Sequence, residues 1–240
     1  MTTTAIRRHG ATHPGPPLGA PALLFAVSFL GAILLGPVTG AGPQPSPYEH
    51  TAVLQAYAAG HASTLAFSGW LMLLAATGLA LLTALISSRL DYLAPNAPGP
   101  TIALVGGLLA SVFLATSGMI TWLMSRDVVS SSGTLTHALQ YLNFLAGGPV
   151  HTAALGVLVT GTAVTSIFVA RTPRWFALVG IAIGAVAGLS TLVLLGESFV
   201  PLVPLGRFAA IIWLLAMALL LPRDRARRGE TARQTPVTTV

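Results

Sequence analysis

The hydrophobic positions of this 240-residue chain are gathered into six long runs, separated by shorter segments that contain proline, glycine and charged residues. A helix of about 20 apolar residues crosses the ~30 Å hydrocarbon core of a bilayer, and inside lipid the backbone amides must be paired within the segment. The pattern therefore predicts an all-α, polytopic integral membrane protein with six transmembrane helices. The predicted spans cover residues 21–41, 62–87, 101–124, 148–170, 175–196 and 203–221.

Composition supports the same class. Hydrophobic residues make up 54% of the chain and charged residues only 8%, with a mean hydropathy of +0.79. Soluble domains carry about 25% charged residues. So few charges do not provide a water-facing surface, which excludes an ordinary soluble globular protein.

Arginine sets the predicted orientation, because all 12 basic residues are arginines. Two of them, Arg126 and Arg207, fall on one side of the predicted spans, and the other ten fall on the opposite side. The positive-inside rule makes the ten-arginine side cytoplasmic, so both termini are predicted to lie inside. The ten are Arg7, Arg8, Arg89, Arg171, Arg174, Arg223, Arg225, Arg227, Arg228 and Arg233.

The chain divides into one membrane domain, residues 20–222, and two polar ends. Residues 1–19 are predicted to be a disordered cytoplasmic segment, and residues 223–240 a basic, disordered cytoplasmic tail. The tail sequence RDRARRGETAR is explained by topology, and because no folded basic face lies outside the membrane, nucleic acid binding is not expected. The first span has some features of a signal peptide, but its length favours an uncleaved helix.

Span five contains glycines at every fourth position, Gly180, Gly184 and Gly188. Small residues at this spacing allow two helices to approach closely in a membrane. The pattern predicts that this stripe packs against another helix, and a helix of the same chain is the favoured neighbour. The alternatives are a second copy of the chain or a membrane-protein partner.

The centres of the spans carry no Asp, Glu, Lys or Arg. Pumps, proton-coupled carriers and voltage sensors usually place ionisable groups there. Arg207 lies one turn inside span six and is expected to extend to the headgroups. Serine and threonine inside the spans are expected to bond to carbonyls of their own helices.

Ionisable residues gather instead on the predicted outer side, where His61, His137, His151 and Glu197 are the candidate metal ligands. Nitrogen and oxygen donors of this kind suit a transition metal. His137, His151 and Glu197 are also the candidate catalytic residues of an outer-face enzyme. However, the four residues come from separate loops without a metal-binding spacing, and the chain has no cysteine. The alternative is that they are interfacial side chains bonded to water and headgroups, with no cofactor and no metal.

The stretch NFLAGGPVHTAALG, residues 143–156, joins two predicted helices. Leu135, Leu139, Leu142 and Leu145 form one face of a short interfacial helix over residues 134–146. Gly147, Gly148 and Pro149 then interrupt helix geometry, because proline cannot donate a backbone hydrogen bond. The sequence predicts a change of direction here, with His151 in the first turn of span four near the outer interface.

Several motifs resemble those of an uncharacterised six-helix membrane-protein family of high-GC bacteria, a domain of unknown function. They are LQAYAAGHASTLAFSGWLMLLA entering span two, SGMITWLM closing span three, RTPRWFALVGIAIGAVAG opening span five, and the final IIWLLAMALLLPR. The resemblance covers most of residues 20–222 and implies no catalytic residues. Arginine without lysine, with abundant alanine, glycine and proline, also points to the plasma membrane of a high-GC bacterium.

Three classes of function follow from these features. The first is a non-enzymatic membrane protein that interacts with lipids or protein partners. The second is a small transporter, or transporter subunit, for a neutral or apolar solute. The third is the outer-face enzyme or metal site. A deep hydroxyl-lined cavity would favour transport, and histidines converging with a carboxylate would favour the third class.

Overall fold

The computed structural model describes residues 16–168 and 172–221, and within these ranges it contains helices and connecting segments but no β-strand. Six helical segments are long and apolar enough to cross a membrane: Gly19–Val38, Ala62–Leu93, Gly99–Met124, Gly133–Ser166, Arg174–Leu194 and Glu197–Leu220. The predicted class, an all-α membrane protein with six spans, is confirmed. The predictions for residues 1–15, for Arg171 and for the basic tail lie outside the described residues, and the orientation stays a prediction.

Nine α-helices occur in the described residues. They are α1 (Gly19–Val38), α2 (Thr51–Gly60), α3 (Ala62–Leu93), α4 (Gly99–Met124), α5 (Asp127–Ser130), α6 (Gly133–Leu145), α7 (His151–Ser166), α8 (Arg174–Leu189) and α9 (Leu202–Leu220). A π-helical segment, Ala146–Val150, joins α6 to α7, and two short 3₁₀ segments, Ser190–Leu194 and Glu197–Phe199, join α8 to α9.

The spanning helices pack against one another in chain order, and the last returns to the first. Helix α1 contacts α3, α3 contacts α4, α4 contacts α7, α7 contacts α8, and α8 contacts α9, which returns to α1. Helix α7 also contacts α3 and α9, so it lies at the centre of the bundle. An apolar 18-residue stretch of the span containing α7 is 61% buried, against 33–44% for the corresponding stretches of the other five spans. The core therefore forms around α7, with Leu79, Leu155 and Leu214 fully buried.

Two of the three glycines of the α8 stripe, Gly180 and Gly184, lie against other helices of the same chain. A methyl group at Gly184 would lie 2.9 Å from the Gly156 carbonyl oxygen and overlap Thr160, and one at Gly180 would lie 2.8 Å from Ala163. Gly188 is exposed and an added methyl group there meets nothing within 4 Å, so Gly188 takes no part in the packing within the chain.

The geometry of the α-helix explains the difference. Each residue turns about 100° around the helix axis, so a position eight residues on has moved about 80° away, while one seven residues on has moved only about 20°. Ala187, seven residues after Gly180, takes the place predicted for Gly188, and it is fully buried.

Close backbone contacts recur between other helices. Gly69 on α3 faces Gly118 on α4, where an added methyl group would lie 2.6 Å from the Gly118 carbonyl oxygen. At Gly78 the same group would lie 2.6 Å from the backbone nitrogen of Phe25 on α1. Helices that approach this closely gain van der Waals contact, the main source of association in a lipid solvent.

Helix α3 continues past its predicted end at Ser87 to Leu93, and it carries Arg89 into the protein. Arg89 is only 3% exposed, although the sequence places it in a cytoplasmic loop. Its guanidinium donates to the carbonyl oxygens of Pro16, at 3.1 Å, and of Leu221, at 3.5 Å. Arg89 thereby connects the residues that precede α1 with the end of α9.

The predicted break between the interfacial helix and span four is confirmed. Gly148 has φ −91° and ψ −109°, outside helix geometry, and it separates α6 from α7 at a kink. Pro149 cannot donate a backbone hydrogen bond, so the helical bonding pattern is interrupted at the same point. The kink turns α6 toward α2 and α4, which it contacts at one end of the bundle.

Candidate functional site

The candidate ligands His61, His137, His151 and Glu197 do not come together. Within residues 16–168 and 172–221, no group of three or more His, Asp or Glu side chains is arranged to hold a metal ion. The predicted metal site and the catalytic grouping of His137, His151 and Glu197 therefore have no geometric support in the described part of the chain.

His137 uses both ring nitrogens to hold neighbouring segments. Nε2 donates to the Pro47 carbonyl oxygen at 2.9 Å, and Nδ1 shares a 2.7 Å hydrogen bond with the Thr51 hydroxyl. Its ring also stacks on Tyr141, with centroids 5.2 Å apart. His137 thus connects α6 to the segment before α2 and to α2 itself.

His61, His151 and Glu197 belong to three different elements of the fold. His61 marks the break between α2 and α3, where its Nδ1 donates to the Tyr57 carbonyl oxygen at 3.1 Å. Glu197 is exposed at the start of the 3₁₀ segment that precedes α9. Neither residue shares a hydrogen bond with another candidate ligand in the described structure.

His151 is fully buried, so the interpretation of this side chain as an interfacial residue bonded to water and headgroups is wrong. Nδ1 donates to the Ala110 carbonyl oxygen of α4 at 2.9 Å, and the ring stacks on Phe29 of α1, with centroids 6.3 Å apart. The kink causes this placement, because it directs the first turn of α7 between α1 and α4 rather than toward lipid.

Arg207 also departs from the sequence-based expectation. Its guanidinium turns into the bundle instead of extending to the headgroups, and it lies over the Phe29 ring at 5.7 Å from the centroid. Nη2 donates to the Gly147 carbonyl oxygen, and Nε lies 3.4 Å from the Thr152 hydroxyl.

The helix break explains why Arg207 is held there. The backbone N–H of His151 donates to the carbonyls of Ala146 and Gly148, so Gly147 does not receive the bond that a regular helix would give it from His151. A carbonyl without a donor and a guanidinium without a partner are both costly inside a membrane. Their pairing across the α7–α9 contact satisfies each of them.

A cavity of about 360 Å³ opens beside Arg207, and we call it the outer cavity because Arg207 falls on the side that the arginine distribution predicts to face outward. Polar side chains from four elements reach it: Gln44 from the segment after α1, Ser117 from α4, Gln140 and Asn143 from α6, and Arg207 from α9. Apolar residues complete the wall, among them Phe29, Met72, Leu114 and Val203. Its size falls in the range of small-molecule sites, about 300–1,000 Å³.

The amides of the outer cavity hold its cover in place. Gln44 Nε2 donates to Gln140 Oε1 at 2.9 Å, and Gln140 Nε2 donates to the Pro45 carbonyl oxygen at 2.6 Å. These bonds attach residues 43–47, a proline-rich segment, to α6. The segment starts after Gly40 and Gly42, whose φ angles of +82° and +75° suit glycine because other residues rarely adopt them.

A second chamber of about 300 Å³ meets the outer cavity at Gln44, Met72 and Arg207. Its wall includes the apolar residues Ala32, Ile33, Leu65 and Phe208. No aspartate or glutamate lines either chamber in the described structure. Arginine stays protonated in proteins, so Arg207 places a positive charge, without a neighbouring carboxylate, in the wall that the two chambers share.

The sequence interpretation overlooked the polar face of α6. The predicted interfacial helix exists, but its polar side is not turned to water: Thr136, Gln140 and Asn143 are buried, while Leu135 and Leu142 are exposed. The spacing i, i+4, i+7 was readable in the sequence as one helix face. The leucine spacing predicts an apolar face on the same helix, and it does not indicate that the opposite, polar face is the buried one.

Comparison with protein-family models, with curated proteins and with solved structures found no match. The geometry of the outer cavity therefore provides the basis for considering function.

Proposed function

We propose that this protein is a non-enzymatic plasma-membrane protein that binds an anionic amphiphile, such as an anionic phospholipid, in the outer cavity. The observation that carries the proposal is Arg207, which turns into the bundle and lines both chambers without an acidic partner there. An anionic headgroup would supply the missing negative charge, and charge-assisted bonds to arginine are among the stronger hydrogen bonds in proteins.

The two chambers suit the two parts of such a ligand. The amides of Gln44, Gln140 and Asn143 offer donors to headgroup oxygens in the outer cavity. The second chamber offers apolar contacts from Ile33, Leu65 and Phe208 to a hydrocarbon chain. Since Arg207 lines both chambers, the headgroup would lie where they share this residue.

The enzyme and metal alternative gains no support, since the histidines and Glu197 are not grouped in the described residues. Membership of the six-helix family of unknown function, and a location in a bacterial plasma membrane, belong to the proposal and rest on the sequence.

The test compares lipid binding in purified protein and two arginine variants. Native mass spectrometry in detergent, with phosphatidylglycerol as the probe, should show that Arg207→Gln weakens binding by about tenfold or more, because a charge-assisted pair is lost. Arg207→Lys should retain part of the binding because the positive charge remains.

Arg126→Gln is the matched control. Arg126 is exposed on Trp122, 4.2 Å from the ring centroid, and it lines neither chamber. This variant should bind phosphatidylglycerol like the parent. Equal loss in Arg207→Gln and Arg126→Gln would show that the lipid responds to general surface charge, and no loss in Arg207→Gln would show that Arg207 does not bind the headgroup. Either result would overturn the proposal.

Transport of an anionic solute is a second candidate, favoured by the break in the helix at Gly148. Transporters often place ligands at interrupted spanning helices, where freed backbone groups face the site. Here Gly147 and Gly148 line the outer cavity. The charge of Arg207 points to an anionic solute rather than the neutral one expected from the sequence. Proteoliposomes that bind the anionic probe without moving it across the bilayer would exclude transport.

A further inference from the structure

A third cavity, of about 310 Å³, is bounded by aromatic side chains and one acid. Tyr48, Tyr141 and Phe144 form its aromatic wall, Val193 and Leu194 contribute apolar groups, and Glu197 supplies a carboxylate. We call it the aromatic cavity. Phe144 also lines the outer cavity, so the two spaces are neighbours, but they differ in their charged residue.

The rings of the aromatic cavity are set at steep angles to one another. Tyr48 lies 5.9 Å from Tyr141 with the ring planes 84° apart, and 5.9 Å from Phe144 with the planes 71° apart. Tyr141 and Phe144 are three residues apart on α6, so they project from one side of that helix. The cavity is therefore bordered by rings in different planes rather than by one flat stack.

The positions of two rings are fixed from outside the cavity. Tyr141 stacks on His137, whose nitrogens bond to Pro47 and Thr51. Pro47 and Thr51 lie before and after Tyr48 in the chain, so His137 restrains the backbone on both sides of Tyr48. This restraint holds the aromatic wall before any ligand enters, which lowers the entropic cost of binding.

Glu197 makes the cavity negative. Burial raises the pKa of the Tyr48 hydroxyl, and the nearby Glu197 carboxylate and Tyr141 raise it further. No arginine or histidine lines this cavity in the described structure. The electrostatic preference is thus opposite to that of the outer cavity, where Arg207 is the charged group.

We propose that the aromatic cavity binds an alkylammonium group, such as the trimethylammonium group of choline. Aromatic faces attract organic cations through the ring quadrupole, and recognition of quaternary ammonium by several rings is a known use of this attraction. Glu197 neutralises the ligand charge, and Val193 and Leu194 contact its methyl groups. An anion is repelled by Glu197, and a neutral apolar group does not use it. The inference is independent of anion binding at Arg207.

The experiment compares choline with its neutral isostere, in which carbon replaces the nitrogen. Saturation-transfer NMR on the full-length protein in detergent should show choline binding about tenfold tighter than the isostere, because the two differ in charge but not in shape. Equal binding of the two compounds would show that the cavity takes apolar groups only, and would overturn the proposal.

Variants locate the site. Tyr141→Leu should weaken choline binding severalfold, whereas Tyr141→Phe keeps the ring and should retain it. Glu197→Gln, an isosteric change at an exposed position, should also weaken binding without affecting folding. The matched controls are Phe67→Leu and Asp127→Asn, an exposed aromatic and an exposed acid that do not line the cavity. If Glu197→Gln binds choline like the parent, the proposed site is wrong.

Two further arms identify the source of the amine and separate this proposal from the previous one. Choline binding is then measured in nanodiscs of phosphatidylcholine and in nanodiscs of phosphatidylglycerol. Loss of choline binding only in phosphatidylcholine would show that the lipid headgroup occupies the site. Equal choline binding in the two lipids would assign the site to a soluble amine. Arg207→Gln should leave choline binding unchanged. A parallel loss of choline and phosphatidylglycerol binding in Arg207→Gln would overturn the independence of the two sites.

Discussion

Two regions of the broken span formed by α6 and α7 differ in how tightly they are packed. The first, which we call the packed side, lies where α7 faces α8 and α9. Glycines there lie so close to neighbouring atoms that even a methyl group would overlap them: Gly156, Gly180, Gly184 and Gly206. The second, which we call the cavity side, lies at the α6 end, where Gln140 and Asn143 line the outer cavity of about 360 Å³. The first region excludes volume and the second preserves it.

The difference follows from which side chains reach the interior. Glycine has no side chain, so two helix backbones can approach closely at these positions and no polar side chain needs a hydrogen-bond partner. The packed side therefore gains van der Waals contact. Amides and a guanidinium require partners, and a cavity that holds them provides room for a ligand as well as hydrogen bonds. The packed side therefore contributes contacts that stabilise the bundle, and the cavity side keeps the space that the proposed ligand requires.

The largest expected effect tests the packed side. Gly184→Leu should destabilise the protein by about 3 kcal/mol or prevent folding, because the side chain would overlap Thr160 and the Gly156 carbonyl. Thermal unfolding and size-exclusion chromatography in detergent would measure the loss.

Gly188→Leu is the control for that variant, because it makes the same change one helical turn later at an exposed position with nothing within 4 Å. It should fold like the parent. Similar damage in both variants would mean that leucine on α8 is harmful for another reason, and the packing argument would fail.

A second prediction concerns access to water, and it uses the absence of native cysteine in the sequence. Asn143 lines the outer cavity, so a small, water-soluble, thiol-reactive reagent should readily modify the cysteine in Asn143→Cys. Ala163→Cys, at a fully buried position beside Gly180, should react much more slowly. Mass spectrometry of the labelled protein gives both rates. Equal rates would remove the contrast between an open and a closed region.

The smallest effect compares two kinds of hydroxyl. Ser117 donates to Asn143 Oδ1 across helices at 2.5 Å, whereas Thr191 donates to the Gly188 carbonyl oxygen within its own span at 2.9 Å. Ser117→Ala should cost about 0.6 kcal/mol, a typical value for an interhelical hydrogen bond in a membrane protein. Thr191→Ala should change stability by less than about 0.5 kcal/mol, as exposed substitutions usually do. A larger cost for Thr191→Ala in unfolding titrations would contradict this ranking.

Residues of the candidate site show how far sequence reasoning reached. The kink at Gly148 was predictable because glycine and proline act locally. The hydroxyls that bond to their own helix, such as Thr165 with Gly161, were predictable for the same reason. The burial of His151 was not, since it depends on the angle at which α7 leaves the kink. The inward turn of Arg207 was not either, because its partner, Gly147, lies 60 positions away.

The sequence by itself determined the number of spans, their approximate limits and the helical class, because a lipid solvent demands long apolar segments with internally paired backbones. It also determined where the helix breaks. Only the tertiary structure decided which face of each helix points inward. In water, polarity assigns the faces, but in lipid an apolar face such as that of Leu135 and Leu142 is stable outside, and polar residues such as Gln140 and Asn143 are driven inside. Which polar groups meet there depends on contacts between distant segments, and so the cavities emerged only from the folded bundle.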